Sequence, residues 1–192
     1  MGDTKQTKTI GEHYAAAELA RRGWAPAFTR DGLERTDILA VRTGSERRMI
    51  EIQVKTTLTS GWKWANWPLG EKTQGPSASE REYFVMVAAL NDLTTPPRFF
   101  ILPRSHVAAA AWISHQHWLT EPGIPAGKRN ASVAHSRVNL RTFERYENRW
   151  DLIDTDEGNC PVLLPPEYRS YALGSRVGLP AAHPWRTNLP TW

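Results

Sequence analysis

The stretch that decides the fold is residues 35–56, which read RTDILAVRTGSERRMIEIQVKT. Its second half alternates Glu51, Gln53 and Lys55 with branched apolar residues, so a β-strand would carry the three polar groups on one face. The intervening TGSE favours a tight turn, which predicts an antiparallel hairpin. The polar face would then lie beside Asp37, and two carboxylates, an amide and an ammonium would converge there.

The sequence around this hairpin shows both helix and strand patterns, which predicts a mixed α/β domain. An alanine-rich run over residues 9–23 predicts a helix with Thr9 as its cap candidate. Ser105 is the cap candidate of a second helix over about 106–118. The remaining predicted elements are strands over 24–29, 36–42, 48–56, 81–90 and 98–102, and a shorter helix over 140–148.

Composition indicates a soluble globular protein. The chain has 192 residues, 40% of them hydrophobic, which is enough for the core of one domain. No apolar run approaches the ~20 residues of a transmembrane helix and the N-terminus has no hydrophobic signal region, so we expect a cytoplasmic location away from membranes. The single cysteine, Cys160, excludes an internal disulfide and argues against a cysteine-based zinc site. A formal charge of +4 permits nucleic-acid binding without requiring it.

The last part of the chain differs in composition from the rest. Prolines recur often enough to prevent long regular elements, yet aromatic residues, in which disordered segments are usually poor, remain to be buried. We therefore predict a domain over residues 1–156 and a proline- and aromatic-rich extension over 157–192. The extension either wraps over the domain or a partner subunit, or is flexible. The aromatic residues concerned are Tyr168, Tyr171, Trp185 and Trp192.

The polar groups of the hairpin suit the hydrolysis of phosphodiester bonds. That reaction requires neutralisation of a highly charged transition state and activation of a water molecule, which one or two magnesium ions held by oxygen ligands can provide. Asp37 and Glu12 would offset the charge of such an ion, and Gln53 could add a carbonyl oxygen. Lys55 could orient the attacking water or stabilise phosphate charge.

Three short motifs resemble those of the PD-(D/E)XK nuclease superfamily: Gly11-Glu12, Thr36-Asp37-Ile38 and Ile52-Gln53-Val54-Lys55-Thr56. The resemblance is greatest to the branch with glutamine in the last motif, which includes archaeal-type Holliday junction resolvases, Mrr-like restriction enzymes and some homing endonucleases. It implies a restriction-endonuclease-like α/β fold with a mixed central sheet flanked by helices. It also implies a catalytic set in which the first three members bind Mg²⁺ or Mn²⁺: Glu12, Asp37, Gln53 and Lys55.

Two departures from the family pattern concern the metal site and the topology. Gln53 stands where an acidic ligand is usual, which removes one negative charge. Glu51 would compensate in part, since it lies two residues away on the same strand face, roughly 6.6 Å along the strand. That distance favours a supporting catalytic role or a second metal over direct replacement of the ligand. Residues 57–80 offer only a weak candidate for the family's crossover helix, because glycines and prolines interrupt them.

Each of these assignments has a structural alternative. The polar strand face could be the solvated face of an edge hairpin, and Glu12 could be an ordinary first-turn carboxylate favoured by the helix dipole. Trp62, Lys63 and Trp64 follow the strand directly and could bind nucleic acid by stacking on bases and contacting phosphate. The same tryptophans could instead anchor a loop to the core or form a dimer interface.

Together, these observations predict a magnesium-dependent DNA endonuclease. A homodimer is expected because cutting both strands of a duplex calls for two sites related by symmetry. The main alternative is a nuclease-fold module that binds nucleic acid or another protein without cleaving. Gln53 favours that alternative, whereas Glu12, Asp37 and Lys55 favour catalysis. A nuclease directed at RNA is a third interpretation.

Overall fold

The computed structural model describes residues 4–29, 33–44, 47–125 and 127–192. The helices are α1 (Thr4–Arg21), α2 (Arg104–Leu119) and α3 (Pro166–Leu173). The strands are β1 (Trp24–Phe28), β2 (Ile38–Arg42), β3 (Met49–Thr59), β4 (Asn66–Pro68), β5 (Glu82–Leu90), β6 (Arg98–Pro103) and β7 (Arg137–Asn139). None of these helices is both long enough and apolar enough to cross a membrane.

A mixed five-stranded sheet in the order β1-β2-β3-β5-β6 forms the centre of the fold. Strand β3 pairs antiparallel with β2 and parallel with β5, and both outer pairs are antiparallel. Strand β5 is buried along residues 82–89, which explains its nearly continuous apolar sequence. Helices α1 and α2 pack against this sheet. The predicted α/β class, a mixed central sheet flanked by helices, is confirmed.

The predicted hairpin joins β2 to β3 and continues into the middle of the sheet. Its register pairs Ile38 with Ile52 and Val41 with Met49. Along β3 the apolar side chains are buried and the alternating polar ones are half-buried, so the predicted alternation is confirmed. Because β3 has a neighbour on each side, the alternative of a solvated edge hairpin is wrong. Residues 45 and 46 of the predicted TGSE turn lie outside the described residues.

Both predicted cap residues lie inside helices, so both cap predictions are wrong. Thr9 lies within α1 (Thr4–Arg21), and its hydroxyl donates to the Lys5 carbonyl oxygen over 3.0 Å. Helix α2 begins at Arg104, directly after β6, and the Ser105 N–H donates to a carboxylate oxygen distant in sequence. Glu12 therefore lies well inside α1, where the dipole of the first turn does not explain it.

Short 3₁₀ helices recur in the segments that connect and follow the strands. Over the described residues 60–81, the crossover from β3 to β5 contains no α-helix, because prolines and glycines interrupt it. Its strand β4 instead pairs with β7 in a separate two-stranded sheet. The shorter α-helix predicted over 140–148 is wrong, since Leu140–Tyr146 is a 3₁₀ helix.

The C-terminal segment packs against the rest of the chain. Trp185 is only 8% exposed. The Tyr168 hydroxyl lies 2.8 Å from the Ser114 hydroxyl on α2, and the Trp112 indole N–H donates to the Val177 carbonyl oxygen. Of the aromatic residues that the sequence left to be explained, Trp185 is buried, and Tyr168, Tyr171 and Trp192 are partly buried against the core. The division into a domain over 1–156 and an extension over 157–192 remains a prediction.

Candidate functional site

Asp37 lies where β2 separates from β3. Its backbone N–H donates to the Ile52 carbonyl oxygen over 2.9 Å, which continues the ladder by one bond. Its side chain then replaces the next backbone acceptor, because Oδ2 accepts the Val54 N–H over 2.8 Å. The carboxylate is fixed at the end of the hairpin, with its second oxygen turned towards α1.

Helix α1 places Glu12 near Asp37, and the two carboxylates share the ammonium of Lys8. The Lys8 ammonium lies 3.4 Å from Glu12 Oε1 and 3.3 Å from Asp37 Oδ1. Both carboxylate side chains are mostly buried, with 19% and 14% exposed, whereas Lys8 is 56% exposed. Burial raises the pKa of Glu12, Lys8 opposes that rise, and Asp37 adds to it by repulsion. Two desolvated carboxylates therefore face a position that holds positive charge.

Lys55 brings a second ammonium to the site from β3. Within the described part of the chain its side-chain ammonium makes no hydrogen bond or ion pair, although Asp37 is near enough to attract it. Burial lowers the pKa of Lys55, Asp37 opposes the change, and the positive charges of Lys8 and Arg104 lower that pKa further. The Lys55 Nζ is consequently available to a phosphate oxygen or a water molecule.

The other two predicted site residues of β3 are already paired within the protein. Gln53 Oε1 accepts a hydrogen bond from Arg104 Nη2 over 3.1 Å. Glu51 Oε2 accepts one from the Thr36 hydroxyl over 2.7 Å. The structure therefore joins Glu12 to Asp37 through Lys8, with Lys55 nearby, but engages Gln53 and Glu51 in other contacts.

Sequence reasoning missed a buried charge cluster behind Gln53. Arg104, 1% exposed, places Nε 2.6 Å from Glu82 Oε2. Arg35 Nη2 lies 3.0 Å from the same oxygen and also donates to the Pro76 carbonyl oxygen over 2.6 Å. The sequence did hint at this cluster, because Glu82 begins the apolar strand β5 and Arg104 directly follows β6. Their pairing depends on the β5–β6 register and could not be seen along the chain.

The donor set fits a hard divalent cation of the kind the sequence predicted. Magnesium prefers oxygen ligands, commonly takes one or two carboxylates and keeps several waters. Glu12 and Asp37 supply two such carboxylates, and the Lys8 ammonium between them acts as a stand-in for a bound cation. Among the described residues, no histidine, cysteine or further acidic side chain joins these two carboxylates to form a group of three potential ligands.

The predicted nucleic-acid loop divides into an exposed part and a packed part. Trp64 is 64% exposed, and the Lys63 ammonium lies 4.9 Å from the centre of its ring. Trp62 instead packs partly against the core, with the Arg98 guanidinium 5.4 Å from its ring centre. Trp67, further along, is fully buried. Trp64 and Lys63 are thus the members of the loop that a ligand can reach most easily.

The chain resembles solved structures more than it resembles known sequences. No protein-family model matches it, and no curated protein matches it. Its structure is similar to a bacterial homing endonuclease, I-Ssp6803I, at 17% identity and a TM-score of 0.42, over 79% of this chain and 93% of that one. It is also similar to Hjc, a Holliday junction resolvase from the archaeal hyperthermophile Archaeoglobus fulgidus, at 15% identity and a TM-score of 0.37, over 71% and 91% of the two chains. Homing endonucleases and Holliday junction resolvases also belong to the group of enzymes whose motifs the sequence resembles.

Proposed function

We propose that this protein is a divalent-metal-dependent endonuclease that hydrolyses DNA phosphodiester bonds. The observation that carries the proposal is the sharing of one cation by Glu12 and Asp37, with the Lys55 ammonium nearby. Mostly buried carboxylates that converge in this way are costly unless a cation neutralises them. Glu12 and Asp37 are the residues that would hold Mg²⁺ or Mn²⁺.

The residues of the site have separable chemical roles. A bound magnesium ion would neutralise phosphate charge and lower the pKa of a water molecule. Asp37 is held rigidly by the Val54 N–H, so its free oxygen keeps a fixed direction. Lys55 Nζ donates to a phosphate oxygen or orients the attacking water, and burial lowers its pKa. Lys8 is exposed enough to leave the carboxylates when another cation arrives.

One observation favours a second candidate, a module of the same fold that binds nucleic acid or protein without cleaving. Gln53 carries no charge, and its oxygen is engaged by Arg104. A metal held by two carboxylates alone would be bound more weakly than one held by three. The two candidates differ in whether the wild-type protein breaks phosphodiester bonds.

The test compares cleavage of linear duplex, single-stranded and four-way-junction DNA in magnesium, manganese or EDTA, with an RNA strand as a further substrate. Lys55→Ala should lower the cleavage rate at least about 100-fold, as expected for loss of a group that stabilises transition-state charge. Asp37→Asn should do the same and also weaken metal binding. Lys128→Ala, an exposed lysine in the segment after α2, is the matched control and should cleave at the wild-type rate.

Metal-dependent cutting that the Lys55 and Asp37 variants lose would establish the enzyme and its preferred substrate. Equal activity in both variants and the wild type would show that the site is wrongly assigned. DNA binding without cutting by the wild type would instead establish the second candidate. The expected homodimer and cytoplasmic location remain predictions from the sequence.

A further inference from the structure

Gln53 differs from the other site residues because the direction of its amide can be read from its partner. Arg104 Nη2 lies 3.1 Å from Gln53 Oε1. A guanidinium has only donors, so the amide atom that faces it must be the oxygen. The other amide atom, Nε2, has no hydrogen-bond acceptor among the residues that the structure describes. It is the amide atom left to contact a ligand.

Arg104 is held too firmly to release this oxygen easily. Its side chain is 1% exposed, its Nε lies 2.6 Å from Glu82 Oε2, and its Nη2 also donates to the Arg35 carbonyl oxygen over 3.0 Å. Its Nη1 and, despite the ion pair, its Nε are buried without a hydrogen-bond partner in the described part of the chain. A buried guanidinium whose Nε and Nη1 already lack acceptors would lose another if the amide turned, which is unfavourable.

We propose that Gln53 serves the site as a hydrogen-bond donor, with Nε2 donating to a phosphate oxygen of the nucleic-acid backbone, and that its oxygen is not a metal ligand. This inference rests on the proposed function and replaces the metal-ligand role expected from the sequence. An amide nitrogen has no lone pair to offer a cation, so its partner must be an acceptor. A divalent ion on the second lone pair of Oε1 would lie beside the Arg104 charge and be repelled by it.

The assignment also explains a glutamine at this position. With Arg104 behind it, a glutamate would place one oxygen against the guanidinium and the other towards the substrate. That second oxygen would repel phosphate, whereas the amide nitrogen attracts it. Glutamine is the residue of this length that accepts from Arg104 and donates to an anion at the same time.

The test measures two properties separately in the full-length protein. The first is the affinity for Mn²⁺, followed by electron paramagnetic resonance without DNA. The second is the affinity for duplex DNA in EDTA, followed by fluorescence anisotropy. Gln53→Met removes both polar atoms at similar volume, and Gln53→Leu is a second apolar replacement should the first fail to fold. Asp37→Asn is the metal-ligand reference. Gln116→Met, on α2 about 18 Å along the helix from Arg104, is the matched control.

Gln53→Met should keep its Mn²⁺ affinity within about twofold of wild type and bind DNA about tenfold more weakly, as for loss of one hydrogen bond to a charged acceptor. Asp37→Asn should show weakened Mn²⁺ binding, and Gln116→Met should show no change. The inference is overturned if Gln53→Met loses Mn²⁺ affinity as Asp37→Asn does, or if its DNA affinity is unchanged. A wild-type protein that binds neither Mn²⁺ nor DNA overturns the proposed function itself and, with it, this inference.

Discussion

Gly11 of α1 lies directly against Thr56 of β3, so closely that a Cβ on the glycine would fall 1.7 Å from the threonine hydroxyl oxygen. The hydroxyl is buried without a hydrogen-bond partner in the described part of the chain, so it takes part through packing alone. This approach sets how deeply α1 packs onto the sheet. Because Glu12 is the next residue, it also sets the distance between Glu12 and the residues of the hairpin.

Gly11→Ala should therefore disturb stability and the site together. A side chain cannot fit at that distance, so α1 must move outward, at a cost of roughly 1–3 kcal/mol in the free energy of unfolding. Denaturant unfolding and Mn²⁺ affinity would both report the change. Thr56→Ala removes the hydroxyl and methyl groups, so the double variant should lose less stability than the sum of the single variants. Gly75→Ala, where a Cβ meets nothing within 4 Å, is the control. If the stability losses of the two single variants simply add in the double variant, the contact between Gly11 and Thr56 does not limit the packing of α1.

Lys8→Met should strengthen metal binding. In the wild type, the Lys8 ammonium must leave Glu12 and Asp37 before a divalent cation can enter between them. Because Lys8 is largely exposed, these ion pairs are worth at most about 1 kcal/mol, which corresponds to a gain of up to about fivefold in Mn²⁺ affinity. The gain should shrink as ionic strength rises. Lys72→Met removes a lysine paired to an exposed glutamate elsewhere and should have no effect. Weaker Mn²⁺ binding by Lys8→Met would show that the ammonium assists the site instead.

Trp64→Ala should weaken the binding of single-stranded DNA. Trp64 is 64% exposed with the Lys63 ammonium against its ring, an arrangement that can stack on a base and contact phosphate. Loss of one stacked base costs about 1–3 kcal/mol, so the dissociation constant should rise at least about fivefold. Trp64→Phe should restore part of the affinity. Trp118→Ala removes another exposed tryptophan, at the far end of α2, and serves as the control. Equal losses in both alanine variants would argue against a specific role for the loop.

Glu157→Gln should change how stability depends on pH. Burial raises the pKa of Glu157, hydrogen bonds from Ser105 and Ser77 oppose the rise, and Glu82 adds to it. The pKa of Glu157 in the folded protein is raised above its ordinary value of 4.5. Protonated Glu157 therefore stabilises the fold fully below about pH 4.5, and this stabilisation is lost as the pH rises through the folded pKa. Glutamine remains uncharged and can accept the Ser105 N–H throughout.

The stability of Glu157→Gln relative to wild type should therefore increase as the pH rises above about 4.5. Urea unfolding at several pH values measures it. Glu71→Gln, at an exposed position, should show no such trend. A constant difference between Glu157→Gln and wild type across this range would mean that Glu157 is ionised at no cost in the fold.

The sequence by itself determined the hairpin and the position of Asp37 on it. The alternation of Glu51, Gln53 and Lys55 with apolar residues has the period of a strand, and that period depends only on neighbouring residues. The register followed from the buried face, since a slip of one residue would expose it. The central sheet and its α/β class were also predictable, because each strand carried its own local pattern.

Tertiary structure alone decided how the site residues are used. Arg104 takes the oxygen of Gln53, and Lys8 joins Glu12 to Asp37, because separate elements meet at the end of the hairpin. Caps and helix ends were mispredicted for the same reason. At Ser105, for example, a distant carboxylate accepts the N–H that a local cap would have satisfied. Hydrogen bonds between elements depend on which segments pack together, and packing depends on the whole buried surface, whereas periodicity is local.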